Sequence, residues 1–586
     1  MDKKNSGASL ATAQKRKEPV RLDRWRWAMI CAGGVLLALS FPPIGLGFVS
    51  FVALVPWTLL ICHPVPLTRW QYRGLWLVGF LFWLWLLESI RKAHPILYVG
   101  LAALSGYLAL YIPVFVAVAR MLVHKAKWPA WLVVPVVWTA LELVRAYLIT
   151  GFSMANLGHA VARYPALIQL ASLGGAYAVG FVIALVGATI GCALFELLRS
   201  YDRSISASPF PLALVGQSRL VLASVLALAL ATLFASGWSL PKLRQAEPSK
   251  QKPFRVAVVQ GSLDVVFETS SARQNEVLSH YRETIRDEAK RFSDRDGHPP
   301  TLYLLPESSL PFPYFEADSL LTPPSSHTGT VGEFKEIIQD RQAEYSVILS
   351  DYISGLRLPR GEHYVVLGGA KIRYTDAPVP TITNDAILFD SEGKMLSSYA
   401  KCHPVMFGEY LPFGAWFPWI YQVTPLPAGI TPGPGAKPFE IDGLVFSPSI
   451  CFESTVPHVI ARHVGECRAK EKEVDALVNI TNDGWFWGGA ILDLQAQCNI
   501  MRAVEHGKPM FVAANTGLSM VIDSDGRVIA KAPRRKPKVL VETVPLGGRA
   551  PTIYSRIGDV FALGCLIASG AVLGRIMIAG RAKRKK

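Results

Sequence analysis

Charge is scarce in this chain. Of its 586 residues only 18% are Asp, Glu, Lys or Arg, whereas 51% are hydrophobic; an average soluble domain carries roughly 25% charged residues. A wholly soluble chain of about three or four domains is thereby disfavoured. Cysteine is sparse and unpatterned: eight residues, with no CxxC pair and no metal-ligand spacing. No metal and no dissociable cofactor is expected. Cys31, Cys62, Cys192 and Cys565 fall in apolar runs, where cysteine acts as a small hydrophobe, and Cys402, Cys451, Cys467 and Cys498 fall in the more polar part. A basic stripe or patch is also missing. The formal net charge is +16, but Lys3, Lys4, Lys15, Arg16, Lys17, Arg21, Arg24 and Arg26 precede the first apolar run, and Arg581, Lys583, Arg584, Lys585 and Lys586 follow the last. Such clusters orient membrane segments and meet anionic headgroups, which argues against a nucleic-acid partner. No small-residue cleavage site follows the first apolar run, so it reads as an uncleaved helix rather than a signal peptide.

What is present instead is length of apolar run. With about 20 residues needed per crossing, candidate spans lie near 27–42, 44–62, 74–90, 97–122, 129–149, 167–198, 219–239 and 557–580. Phe41-Pro42-Pro43 must break the helix between the first two. Eight spans put Arg69/Arg73, Lys125/Lys127, Arg199/Arg203/Arg219 and both basic termini on one side, as the positive-inside rule asks. The expected organisation is a basic cytoplasmic tail (1–26), a transmembrane domain of about seven helices (27–240), a large extracytoplasmic domain (241–556), a final transmembrane helix (557–580) and a basic cytoplasmic tail (581–586). Within the spans, Glu142 and Arg145 stand at i, i+3 and can pair; Glu88 and Arg91 repeat the spacing.

Residues 241–556 read as α/β with a layered sheet core. Phe254–Gln260 and Thr301–Leu305 are buried-strand patterns, Ser271–Phe292 is helical, and further strands are expected at Tyr345–Asp351, Tyr364–Tyr374, Ala386–Asp390, Leu444–Ile450, Ala476–Ile480, Pro509–Ala513 and Ser519–Ile522. The segment 313–345 reads as a surface loop or lid. Three stretches carry reactive groups: Pro306-Glu307-Ser308, Lys401 through Gly408-Glu409-Tyr410-Leu411-Pro412, and Ile450-Cys451-Phe452-Glu453. Strand ends are where α/β enzymes place chemistry. A thiol there becomes nucleophilic if a base takes its proton and a cation supports the thiolate. Glu307 could be that base and Lys401 that cation.

The three stretches together resemble the Glu-Lys-Cys signature of the carbon–nitrogen hydrolase (nitrilase) superfamily, and Val478–Phe486, Arg502-Ala-Val-Glu505 and Ala514–Ser519 add to the likeness. With spans before the domain and one after it, the chain resembles the bacterial apolipoprotein N-acyltransferase family, as do Trp138–Arg145, Thr150-Gly151-Phe152 and Pro551–Asp559. The resemblance implies a polytopic α-helical membrane domain plus an αββα sandwich in the bacterial inner membrane. It implies acyl transfer from a phospholipid, through a Cys451 thioester, to the amine of a diacylated apolipoprotein. Glu307, Lys401 and Cys451 would be catalytic. Glu409 and Glu453 would orient Lys401 and shape the pocket, and the Phe452 N–H would assist the oxyanion. Trp416, Phe417, Trp419, Trp485 and Trp487 would form a lid or meet the interface. The sequence departs from the family pattern at Ser262, Pro404, Met406, Ser153 and Ala496, which bears on acceptor recognition rather than on the three reactive residues. The competing reading is a membrane-tethered amidase or nitrilase that passes the acyl group to water.

Overall fold

The computed structural model describes residues 20–584 except 96, 202–218, 246, 265–269, 294–298, 319–320, 325–326, 357–361, 378, 412–413, 415, 418 and 420–428. Lys3, Lys4, Lys15, Arg16, Lys17, Arg203, Pro412, Lys585 and Lys586 lie outside the described residues.

Helices occupy every expected span. They are α1 (Val20–Ser40), the short α2 (Ser50–Ala53) and α3 (Val55–Cys62), α4 (Arg69–Leu86), α5 (Leu97–Ala109), α6 (Tyr111–His124), α7 (Ala130–Tyr147), α8 (Pro165–Ile168), α9 (Ala171–Tyr201) and α10 (Arg219–Leu243). A last helix, described below, follows the soluble domain. Among the described residues, five stretches are long and apolar enough to cross a membrane: 97–124, 130–147, 171–199, 220–243 and 560–582. The chain is a multi-pass membrane protein. Glu88 and Arg91 pair as expected, at 3.1 Å. Glu142 and Arg145 do not pair directly. Glu142 instead accepts from Trp138 Nε1 (2.9 Å) and the Leu157 N–H (2.7 Å), and Arg145 donates to Asn156 Oδ1 at 2.5 Å. The loop after α7 turns back onto the helix and offers each charge a better-aimed partner than its neighbour.

The soluble domain is a four-layer αββα sandwich. One sheet runs β13-β1-β2-β4-β5-β6, with β3 beside β4; the other runs β12-β11-β10-β9-β8-β7. The first holds β1 (Lys252–Gln260), β2 (Leu302–Leu304), β3 (Tyr314–Ala317), β4 (Tyr364–Tyr374), β5 (Thr381–Phe389), β6 (Met395–Ala400) and β13 (Lys538–Leu546). The second holds β7 (Phe439–Ile441), β8 (Leu444–Ile450), β9 (Ala476–Thr481), β10 (Met510–Ala514), β11 (Met520–Ile522) and β12 (Val528–Lys531). Central pairs β1–β2, β2–β4, β8–β9 and β9–β10 are parallel. Both faces of these strands are covered, which explains their near-continuous apolar runs. Val256, Val258, Leu302 and Val366 meet Phe446, Val478, Ile480 and Phe511 between the sheets. On the outer face of the first sheet, Val259, Leu305 and Leu367 pack on α11 (Ser271–Ser293) and α12 (Val331–Gly355).

Two expectations change here. The expected strand at Tyr345–Asp351 lies within α12, and of the segment 313–345, expected as a loop or lid, Tyr314–Ala317 is β3 and 331–345 belongs to that helix, with part of the stretch between them outside the described residues. Thr330 and Glu333 form a capping box at the helix start. Phe334, Ile338, Leu349, Tyr352 and Ile353 then bury at helical spacing.

The outer face of the second sheet carries α13 (Pro457–Ala469) and α14 (Ile491–His506), and this layer continues into the membrane helices. Val464, Leu494, Met501 and Val512 share one core with Leu157, Ile168, Val179 and Ile183. The seam has a polar pin. α9 is broken at Gly174 and Gly175 (φ 70°), where a Cβ on Gly175 would meet the Tyr554 ring at 2.6 Å. The Ala176 N–H exposed by that break donates to Glu505 Oε1 at 2.8 Å. Glu505 is also paired with Arg502 at 2.8 Å, both side chains fully buried. α15 (Ile553–Ile557) and α16 (Val560–Arg584) then return the chain to the membrane. Removing one partner of a buried pair leaves an uncompensated charge, at about 3–5 kcal/mol. Glu505→Ala should therefore lower the thermal unfolding midpoint of the purified protein markedly. The double replacement Arg502→Met/Glu505→Leu should recover most of the loss.

Candidate active site

The strand ends β2, β6, β8, β9 and β10 converge at one end of the sandwich, and each delivers a polar residue there. Glu307 follows β2 and is nearly buried. Its approach requires the glycine opposite in β4, because a Cβ on Gly368 would stand 2.6 Å from Glu307 Cα. Lys401 follows β6 and is 1% exposed. Its Nζ lies 3.6 Å from Glu307 Oε1 and 2.7 Å from Glu409 Oε1. Glu409 arrives on the loop from Lys401 to Tyr410, which folds back through the bonds Phe407 N to Tyr410 O and Glu409 N to Val405 O, both 2.8 Å. The displaced proline at Pro404 leaves that return intact.

Cys451 follows β8 and opens the 3₁₀ turn Cys451–Thr455 with φ 54°, a conformation disfavoured for a residue bearing a side chain. Two carboxamides hold it there: Asn479 Nδ2 and Gln495 Nε2 each donate to the Cys451 carbonyl at 3.3 Å. Glu453, two residues on, is fully buried and knits the site. Its carboxylate accepts from Ile450 N (2.7 Å) beside the thiol and from Cys402 N (2.7 Å) and His403 N (2.9 Å) beside the lysine. Tyr399 Oη adds a bond at 2.9 Å. Cys402, Glu453 and His463 offer ligand atoms within 4.8 Å of one another. That carboxylate is nevertheless filled by N–H and O–H donors, whose positive ends point where a cation would sit. Phe452 occupies the second position of the turn, its ring stacked 6.2 Å from His403.

Of the further contributors, Asn384 carries no motif in the sequence, whereas Asn479 and Asn482 lie in the Val478–Phe486 stretch named above. Asn384, within β5, donates to Glu307 Oε1 at 2.6 Å and to Glu409 Oε1 at 3.2 Å, and its carbonyl accepts the Lys401 N–H at 2.8 Å. The Asn482 N–H donates to Glu307 Oε2 at 2.8 Å. Asn479 is also marked as a polar residue inside an apolar strand, which must find partners when buried. Of the aromatic residues expected at a lid or interface, Trp416 is 75% and Trp419 61% exposed, Phe417 is also exposed, and Trp487 is exposed beneath the Arg535 guanidinium at 4.9 Å. Trp485 is half-buried.

The electrostatics assign protonation states. Burial works against the Lys401 ammonium, but Glu307 and Glu409 outweigh it and hold its pKa above the ordinary lysine value. Burial, with help from Glu307, pushes the Cys451 thiol up to about 12 against the opposing pull of Lys401 and a Thr481 hydrogen bond. Cys451 therefore rests as a thiol. Moving its proton to Glu307 exchanges one negative charge for another beside the same ammonium, so no net charge is created in the buried site. Burial likewise lifts Glu453 to about 7, against its N–H donors and Lys401. Because only the thiolate is nucleophilic, alkylation of Cys451 by iodoacetamide should rise with pH without a plateau below about pH 10. A plateau near neutrality, read by mass spectrometry, would instead mean a resting thiolate–ammonium pair.

Residues 33–189 match the family model described as apolipoprotein N-acyltransferase N-terminal domain, and residues 255–554 match that of carbon-nitrogen hydrolase. An apolipoprotein N-acyltransferase of Rhodopirellula baltica is 31% identical over 562 residues, 92% of this chain and 94% of that protein. One of Geobacter metallireducens is 29% identical over 96% of both chains. Among solved structures, a Saccharomyces cerevisiae member of the nitrilase superfamily aligns over 52% of this chain and 93% of its own, at 15% identity and a TM-score of 0.33.

Proposed function

The chain belongs to the apolipoprotein N-acyltransferase family, and from that premise we propose how its residues divide the work. It is an acyl-transferring enzyme that N-acylates lipoproteins, rather than a hydrolase passing the acyl group to water. The observation that carries the residue assignment is the buried contact of Lys401 with Glu307 and Glu409 at the strand end facing the Cys451 turn.

In the proposed first half-reaction, Cys451 Sγ attacks the ester carbonyl of a membrane phospholipid while Glu307 takes the thiol proton. The tetrahedral oxyanion is stabilised by Lys401, with the Phe452 N–H as a second donor. The C–O bond then breaks, Glu307 gives its proton to the departing alcohol, and a lysophospholipid leaves a Cys451 thioester. In the second, the α-amine of a diacylglyceryl-cysteine attacks the thioester and yields a proton to Glu307. The C–S bond breaks and the proton returns to sulfur. One ester becomes one amide, and no cofactor is consumed. Glu409 fixes the Lys401 ammonium, Asn384 spaces the two carboxylates, and Glu453 keeps the lysine loop in register with the thiol.

We infer that residues 241–556 lie on the extracytoplasmic side of the bacterial inner membrane. The support is geometric as well as electrostatic. The outer ends of two spans touch the soluble domain, at Thr150 with His403 and at Ser89 with Gly489. Arg69/Arg73, Lys125/Lys127 and Arg199/Arg203/Arg219 lie between the other spans, while Arg91 and Lys92 on the outer side are each paired with Glu88. The exposed Trp416, Phe417 and Trp419 suit an interfacial rim.

Purified protein in vesicles should form a hydroxylamine-sensitive adduct with acyl-labelled phospholipid and pass the label to a diacylated lipopeptide. Cys451→Ala should form no adduct. Label recovered only as free fatty acid would overturn the transferase assignment; an undiminished adduct on Cys451→Ala would overturn the nucleophile.

A further inference from the structure

The lysine loop does not stop at the soluble domain. Beyond Lys401, the backbone N–H groups of Cys402 and His403 are held by Glu453, and the His403 ring leaves the sandwich. Its Nε2 lies 2.7 Å from the carbonyl oxygen of Thr150, in the turn that ends α7. A carbonyl only accepts, so the ring proton sits on Nε2. Burial depresses the His403 pKa, opposed by the Thr150 bond itself, so the neutral ring makes this contact.

The receiving turn is unusually shaped. Ile149, Thr150 and Gly151 are consecutively left-handed, at φ 52°, 61° and 83°. Only glycine fits the third place, since a Cβ there would meet the Ala146 carbonyl oxygen at 2.1 Å. The turn is anchored on both sides. Phe152 N donates to the Arg145 carbonyl at 2.8 Å, and the Phe152 ring stands edge-on to Trp83 at 5.6 Å. Around His403, Phe452 stacks at 6.2 Å and His458 meets it edge-on at 6.4 Å, while His458 itself stacks on Tyr147 at 4.0 Å. The residue after the nucleophile, the second residue after the lysine and the first full turn of α13 thus converge on one turn of a membrane helix.

We propose that His403 is a positioning residue through which the α7 turn of the membrane domain sets the catalytic lysine, so that the acyl-transfer site is complete only when the soluble domain is seated on the membrane domain. The proposal rests on Lys401 supporting the Cys451 chemistry. The sandwich core and the Glu453 knot do not need the ring, because His403 meets Glu453 through its backbone N–H. The imidazole therefore acts on geometry rather than on folding. Its partner is a backbone carbonyl, so what it reads is the shape of the turn.

The test uses the full chain in phospholipid vesicles and follows thioester formation on Cys451. His403→Ala should lower the maximal acylation rate by ~10–100-fold, the scale expected for misplacing a catalytic group. The KM for donor phospholipid and the unfolding midpoint should stay close to wild type. His403→Gln, whose carboxamide N–H can reach the same carbonyl, should restore the rate to within roughly fivefold. Gly151→Ala, which disturbs the turn from the other side, should slow acylation similarly, and combining it with His403→Ala should add little, as for residues acting through one contact. Wild-type acylation by His403→Ala, equal losses in the Ala and Gln variants, or losses that multiply would each overturn the proposal. Lys401→Met separates the two levels. If it still acylates, the assignment beneath has failed; if it is inactive while His403→Ala is unimpaired, only the coupling has failed.

Discussion

A buried ammonium between two carboxylates is the contact on which this site depends. Lys401 is almost wholly removed from solvent, and an unpaired charge there would be prohibitive. Glu307 from the end of β2 and Glu409 from the returning loop neutralise it at 3.6 and 2.7 Å, and Asn384 holds the acids apart. The arrangement forces three separate pieces of chain to meet at one point. Burial is the main reason the thiol rests protonated, and the negative charge of Glu307 adds to it.

A second constraint is inherited from the membrane. One outer layer of the αββα sandwich, α11 and α12, closes the domain by itself, but the other, α13 and α14, shares its apolar core with α9 and its neighbours. A hydrophobic core is close-packed and does not slide freely. Polar contacts add direction to that grip: Glu505 receives the broken end of α9, and His403 receives the turn after α7. The end of the sheets that carries the candidate site is therefore held at a fixed attitude to the helices, which suits the proposed transfer between two lipid-anchored substrates.

Much of this was legible in the sequence, for reasons that can be located. Glu307, Lys401 and Cys451 each follow a strand, and most of those strands announced themselves as short β-branched or apolar runs bounded by Gly or Pro. The spans were legible because a bilayer imposes a length. Failures have equally local causes. Tyr345–Asp351 is an apolar run too short for periodicity to separate strand from helix, and the capping box at Thr330 and Glu333, which decides it, lies upstream of the run. The short β3, β6, β7 and β12 and the edge strand β13 were not read at all. Asn384 has no local signature, because its importance comes from Glu307 after β2 and from Lys401 and Glu409 after β6 reaching it. The Glu142–Arg145 spacing was real but irrelevant once Leu157 and Asn156 came within reach. Glu505 and Ala176 are 329 positions apart, and nothing in either segment names the other.

The two proposed half-reactions ask opposite things of one carboxylate, and the geometry around Glu307 suits both. At the start of each it must be ionised, to take a proton from sulfur or from the amine. The groups aimed at its oxygens are the Asn384 amide, the Asn482 N–H and the Lys401 ammonium, all donors, which fit the charged acid. In mid-reaction it must give the proton away to the leaving group. Lys401 stays an ammonium throughout, because its two carboxylates hold it so, and in this scheme supports the thiolate and the oxyanion in turn. A water molecule could in principle use the same sequence. What distinguishes transfer from hydrolysis must therefore lie outside these three residues, in how the site is seated against the bilayer and which nucleophile that seating admits.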